Sequence, residues 1–342
     1  VSECTFDNCK ASSNNKCFDI NTNLIPLSFT DIIIQNNIGY GCENYLGLIN
    51  CNPQIDTFEF RNITFKYNTC ESLYGGGIGI QIIGISQTLT FTDCKFINNA
   101  AKQNKKISRP TNDINKPYYN GDGGGIQLGY ICTSNDFNIE FRSCLFKNNH
   151  AQRHGGAIAI QTIGTVKIIE CIFENNVANY NFDSSESSEL LIDNHFDKKN
   201  EGRGGAIYIN PAYTYDDTSL SCKAPTIFLQ SVEINKCKFE KNNGFDGYGI
   251  YIEGDNLDPE TLFSIINNNF TNNYNESNHN ADPLMIYGAV ITTEIFNIER
   301  EQIIKDNVFL YDNTKLVVPE LSYVDHFGNT PSKEFSKSDA FT

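Results

Sequence analysis

Cys144-Leu145-Phe146-Lys147-Asn148-Asn149-His150-Ala151, followed closely by Gly155-Gly156-Ala157-Ile158-Ala159-Ile160, is the stretch on which the fold turns. The same two phrases return as Cys171-Ile172-Phe173-Glu174-Asn175-Asn176-Val177-Ala178 and Gly204-Gly205-Ala206-Ile207-Tyr208-Ile209. Cys94 to Ala101 with Gly124-Gly125-Ile126, and Cys237-Lys238-Phe239 with Asn242-Asn243, are two more copies. Self-similarity at a fixed period marks a solenoid, in which each unit buries its apolar face only by stacking on the next.

The register sets the period. The position held by Cys in the clear copies falls on Cys4, Ile32, Ile63, Cys94, Cys144, Cys171, Cys237, Asn268 and Asn307, with gaps of 28, 31, 31, 50, 27, 66, 31 and 39 residues. Five gaps lie between 27 and 31, which gives a coil of about 29 residues; the other three exceed it by about 21, 37 and 10. Those excesses fall on polar sequence at 102–120, at 179–201 with 211–225, and near 276–284. Insertions that leave the flanking period intact read as loops extruded from a solenoid.

The unit is β. Alternations such as Val166-Lys167-Ile168-Ile169-Glu170-Cys171 are short, have period two and are punctuated by Asn and Gly. No segment has the helical periodicity that a βαβ crossover needs. About 29 residues hold three short strands and three turns, each strand pairing in parallel with its equivalent about 4.8 Å along the axis. The expected fold is all-β, a right-handed parallel β-helix of about nine coils and about 40 Å, covering 1–316, with a C-terminal cap or tail at 317–342. Inward columns of Cys or Ile, of Phe and of Ile are expected, with Asn stacked on Asn at one turn. Gly-Gly fits where the chain needs positive φ or a close backbone approach.

Composition agrees. The 342 residues include 24 Phe and 17 Tyr but no Trp and one Met, and Asn-Asn pairs recur, which favours turns over helix. A net charge of −15, from 41 acidic against 26 basic residues, disfavours nucleic acid and anionic membranes as partners. No run of about 18 apolar residues offers a membrane-spanning helix. Cys4 already stands inside a repeat, so the chain reads as processed or as part of a longer one.

The Phe-x-Asn-Asn-x-Ala and Gly-Gly-Ala-Ile phrases resemble the repeats of chlamydial polymorphic outer membrane proteins, and of adhesin-like proteins of some archaea and protists. The resemblance covers residues 58–252 best. It implies surface display and adhesion. The stacked faces and loops of a solenoid are expected to bind a protein or a glycan, and its unprotected ends to pair with further coils of the same chain. No cofactor is implied.

Twelve cysteines point to an oxidising compartment. Cys4, Cys94, Cys144, Cys171 and Cys237 share the inward column, where parallel Cβ vectors about 4.8 Å apart suit packed thiols better than disulfides. Cys42–Cys51 and Cys9–Cys17 are the candidate pairs of a disulfide-pinned N-terminal section. No Cys-x-x-Cys occurs and the five His show no matching spacing, so no metal site is expected. Asn62, Asn269 and Asn275 head Asn-x-Ser/Thr sequons and are candidate glycosylation sites.

Parallel β-helices also include polysaccharide lyases and glycoside hydrolases, so a catalytic site must be sought. Directly before Gly-Gly, or before its weaker counterparts, successive coils place Tyr74, Asp122, His154, Arg203 and Asp246. Asp122, His154, Arg203 and Asp246 make the one candidate catalytic column. Asp122 and Asp246 stand about three coils, or 14 Å, apart, whereas a hydrolytic carboxylate pair lies roughly 5–9.5 Å apart. The simpler expectation is therefore an exposed turn of mixed charge, with the run Asp183 to Glu189 as a solvated loop.

Overall fold

The computed structural model describes residues 3–8, 10–11, 27–40, 47–51, 57–71, 78–83, 88–102, 121–132, 137–162, 164–178, 202–211, 229–244, 247–252, 262–273, 291–293, 304–311 and 314–316. Among them there is no helix, and the strands stack into parallel sheets that wind as a β-helix.

From Thr57 to Thr162 each coil runs through four sheets in turn; beyond it the third sheet is reduced, among the described residues, to single bridges at Val177 and Asn243. Sheet 1 contains Thr57–Arg61, Thr88–Thr92, Phe137–Arg142, Gly164–Ile169 and Leu229–Asn235, paired in parallel. Sheet 2 begins one residue after each tracked position. Its strands Thr5–Asp7, Ile33–Gln35, Thr64–Lys66, Lys95–Ile97, Leu145–Lys147, Ile172–Glu174, Lys238–Glu240, Asn269–Thr271 and Val308–Tyr311 pair in that order. Sheet 3 is short, with Ala100–Lys102 between Thr69–Glu71 and His150–Ala151. Sheet 4 follows Gly-Gly and holds Ile126–Cys132, Ile158–Thr162, Ile207–Pro211 and Ile250–Ile252.

Three strands per coil were expected, and sheet 3 is the fourth. It exists because Cys70, Ala101 and Ala151 face inward and are small enough to let the backbones close up into a ladder. At the far end of sheet 2, Thr314–Leu316 turns back antiparallel on Val308–Tyr311, so residues 314–316 end the parallel stack. The extruded segments expected at 102–120, 179–201, 211–225 and 276–284 lie outside the described residues except for Lys102 and Pro211, which end strands, and 317–342 lies outside them too. Register nonetheless closes across them: Lys95 pairs with Leu145 and Ile172 with Lys238.

The core is a set of columns. Phe65, Phe96, Phe146, Phe173, Phe239 and Phe270 are fully buried. Phe96 stacks on Phe146 at 4.6 Å with rings 4° apart, and Phe146 on Phe173 at 4.9 Å. Phe91 and Phe141 form a second stack from sheet 1 and meet the first edge-on. Offset and edge contacts of this kind add to the burial of the rings themselves.

Two polar ladders fix the corners. At the first, the backbone adopts positive φ one residue before the column, at Asp93, Ser143 and Glu170 for example. The thiols of Cys94, Cys144, Cys171 and Cys237 then donate to the carbonyls of Phe60, Phe91, Phe141 and Ile168, which form one row of sheet 1. No disulfide joins these four buried cysteines, and burial pushes the thiols of Cys94 and Cys171 up, which keeps them protonated donors. Of the candidate pairs, Cys9, Cys17, Cys42 and the Cys51 side chain lie outside the described residues.

The second corner uses both residues of each Asn-Asn pair. Asn98, Asn148 and Asn175 take the left-handed conformation, which Asn adopts more readily than most residues. Asn99, Asn149 and Asn176 are buried and carry the ladder. The Asn149 amide donates to Asn176 Oδ1 at 2.9 Å and to the Phe96 carbonyl at 2.9 Å, and its Oδ1 accepts from both the side-chain and backbone nitrogens of Asn99. Every polar atom of the side chain is thus used.

Gly-Gly supplies both things expected of it. Gly155 has φ +65°, and a Cβ on Gly156 would overlap the Gly205 carbonyl and lie 2.5 Å from the Val177 nitrogen. Asn149→Ala should strand the Asn99 donors and the Phe96 carbonyl inside the protein, lowering stability by roughly 2–5 kcal/mol. Asn148→Gly, which keeps the backbone conformation, should be close to neutral. Urea midpoints of the two variants measure the difference.

Candidate functional site

The column before Gly-Gly sits where sheet 3 hands over to sheet 4. Asp122, His154 and Arg203 occupy equivalent places on successive coils, since Gly123 N–H donates to the His154 carbonyl and Gly155 N–H to that of Arg203. Asp246 and Tyr74 lie outside the described residues. The expectation of an exposed turn is wrong: Asp122 is 1% exposed and His154 5%.

The reason is that these side chains cap backbone of the next coil. Asp122 Oδ1 accepts the His154 N–H at 3.0 Å, and His154 Nδ1 accepts the Arg203 N–H at 3.1 Å. A column of acceptors aimed at neighbouring amides does here what the Asn ladder does at its corner. Nδ1 of His154 must therefore be unprotonated, and burial, with Arg153 and Arg203 nearby, holds this imidazole well below the usual histidine range.

Around the column lies a second apolar layer outside sheet 4. Ile158, Ile160, Ile207, Ile209, Ile250 and Ile252 point into the core, whereas Ala159, Tyr208 and Tyr251 point outward and are buried as a separate cluster. The His154 ring stacks on Tyr208 at 4.6 Å, and the Arg203 guanidinium sits 4.6 Å from the centre of the Tyr251 ring.

Asp122 is the electrostatic centre. Its Oδ1 lies 3.6 Å from Arg153 Nε, too long for a hydrogen bond. Its Oδ2 is buried with no hydrogen-bond partner among the described residues. Burial pushes this carboxyl up, against the pull of Arg153 and the His154 N–H. An unsatisfied buried acceptor costs about 1–3 kcal/mol. Asp122 also lines a small recess with Gln127, Leu128, Ala159, Ile160, Tyr208 and Asn210, whose amide donates to the Tyr208 hydroxyl at 3.4 Å.

The structure thus brings Asp122, His154 and Arg203 together and adds Arg153, Gln127, Tyr208 and Asn210, none of which the sequence reading had singled out. Ile207-Tyr208-Ile209 and Ile250-Tyr251-Ile252 carried a usable signal, because apolar residues at consecutive positions mark a strand buried on both faces. Among the described residues no three His, Cys, Asp or Glu side chains converge as metal ligands. Of the sequons, Asn62 is exposed with its amide donating to Asp31 at 2.6 Å, Asn269 is half-buried at the head of Asn269–Thr271, and Asn275 lies outside the described residues.

Residues 143–161 and 170–210 match the Chlamydia polymorphic membrane protein repeat. The chain carries repeats of that type. His154, Arg203, Tyr208 and Asn210 fall inside the matched stretches, and Asp122 falls outside them. No curated protein and no solved structure matches the chain.

The His154 arrangement fixes a pH dependence. The unfolded chain takes up a proton near the ordinary histidine pKa of about 6.5, whereas the folded chain resists until well below it. The unfolded state then binds more protons, so stability falls as pH drops below about 6.5. Urea midpoints at pH 7.5 and 5.5 should differ more in the wild type than in His154→Asn, which offers an acceptor that does not titrate.

Proposed function

We propose that the protein is an adhesin-like protein of the cell surface, binding through the faces and extruded segments of its β-helix, with no catalytic role. What carries this reading is the polymorphic-membrane-protein repeat, found on a stack of parallel coils. The partner is a protein or a glycan, and copies of the chain also associate through the solenoid ends. At one end of sheet 2 the antiparallel strand Thr314–Leu316 intervenes, which directs such association to the other edge. Nucleic acid is disfavoured by the charge of −15. N-glycosylation at Asn62, Asn269 and Asn275 belongs to the same proposal.

A polysaccharide-cleaving role finds less support. Asp122 Oδ1 is committed to a backbone N–H, and the charged group beside the carboxylate is Arg153 rather than a second acid. An antibody against the folded chain should label intact cells of the producing organism, and brief protease treatment of those cells should remove the signal. Beads coated with the chain should adhere to target cells, while a polysaccharide panel shows no turnover. Labelling only after permeabilisation, or turnover abolished by Asp122→Ala, sinks the reading.

A further inference from the structure

Four of the twelve cysteines stand one above another at the first corner, and the fold uses them as thiols. Cys94, Cys144, Cys171 and Cys237 are each no more than 2% exposed. Their S–H groups reach back to sheet 1 carbonyls, at 3.3 Å for Cys94 to Phe60, 3.4 Å for Cys144 to Phe91, 3.6 Å for Cys171 to Phe141 and 3.3 Å for Cys237 to Ile168. The Cys171 sulfur also accepts the Cys144 backbone N–H at 3.4 Å. A sulfur in a disulfide has no proton to donate, so each bridge within the column removes two of these bonds.

Geometry opposes the bridges as well. Neighbouring coils lie about 4.8 Å apart with parallel Cβ vectors, whereas a disulfide holds its Cβ atoms about 3.5–4.5 Å apart. Cys94 and Cys171, like Cys144 and Cys237, stand two coils or about 9.6 Å apart, and Cys94 and Cys237 about 14 Å. Spans above about 7 Å cannot be bridged without moving backbone. The same coils are held at their spacing by the stacked rings of Phe96, Phe146 and Phe173 and by the ladder of Asn99, Asn149 and Asn176.

In the unfolded chain no such limit applies. Cys144 and Cys171, 27 residues apart, are the pair of this column whose loop closes most readily there. The chemistry is exchange with a small-molecule disulfide such as oxidised glutathione. One cysteine thiolate attacks it, forming a mixed disulfide and releasing one small thiol. The second cysteine attacks the protein-bound sulfur, closing the Cys–Cys bond and releasing the other. Two protein thiols lose two electrons, the small disulfide gains them, and the two protons leave on the released thiols. In the folded chain the first attack fails, because the thiols are buried away from the reagent and burial keeps Cys94 and Cys171 protonated.

We infer that the column is a redox gate on folding: the stack closes only while Cys94, Cys144, Cys171 and Cys237 are thiols, and once closed it shields them from disulfide exchange. This does not depend on the adhesin reading.

Refolding the full chain from urea tests the gate, by dilution into reduced or oxidised glutathione with recovery read by circular dichroism and protease resistance. Recovery should fall about tenfold in oxidised glutathione, and disulfide mapping of the fraction that stays unfolded should find the column cysteines bridged. Added after folding, the same reagent should modify the four about a hundredfold more slowly than in urea. A variant with the eight cysteines outside the column replaced should keep the whole effect; Cys70→Ala is among its changes, since Ala101 and Ala151 hold that place on the next coils. If this variant does not fold in reduced glutathione, the mapping of the wild type decides. Equal recovery in the two buffers overturns the gate. So does a folded chain with a bridge inside the column, a loss traced to bridges that spare it, or modification of the folded chain as fast as in urea.

Discussion

The amide of the second asparagine in each Asn-Asn pair can use all its hydrogen-bonding groups only if the next coil presents the same amide one strand spacing away. That condition leaves a single register. Asn68, Asn99, Asn149, Asn176, Asn242 and Asn273 meet it in sequence, each also donating to the carbonyl of an inward residue one coil back. Once it is met, the phenylalanines stack nearly face to face and the glycines come within carbonyl contact of the next coil. A slip of one residue would turn every inward side chain outward. Polar groups therefore choose the register, and apolar burial supplies most of the driving force.

Much of this was legible in the sequence because the repeated residues are themselves the contact residues. Cys, Phe, Asn-Asn and Gly-Gly recur since each has one neighbour of its own kind to meet, and the nine tracked positions each precede a strand of sheet 2. Features that do not repeat left no such trace. Nothing in the motif announces the antiparallel return at Thr314–Leu316, and sheet 3 is too short to show an alternation. The column before Gly-Gly was misjudged for a different reason. Charged residues usually mark solvent, but Asp122 and His154 serve as acceptors for backbone amides, which sequence alone does not distinguish from exposure.

The cysteines also changed meaning. Their number pointed to an oxidising compartment, yet Cys94, Cys144, Cys171 and Cys237 are thiols that donate to one row of sheet 1 carbonyls. Farther along the same column Asn268 and Asn307 replace them, and their amides donate to Ile234 and Ile265 in that same row. Thiol and amide are interchangeable parts of a ladder here. The abundance of this cysteine class reports on coil-to-coil hydrogen bonding and carries no information about redox environment.

Pairing across the insertions has its own consequence. Lys95 meets Leu145, and Ile172 meets Lys238, with the geometry found between coils that have no insertion. The entropy of closing a flexible segment rises only about 0.6 kcal/mol for each doubling of its length, and the step from 31 to 66 residues is about one doubling. Sequence can therefore be added at the rim of a coil with little penalty to the stack beneath it. Such a scaffold can tolerate a change in the length of the segments between its strands while the inward columns keep the same partners.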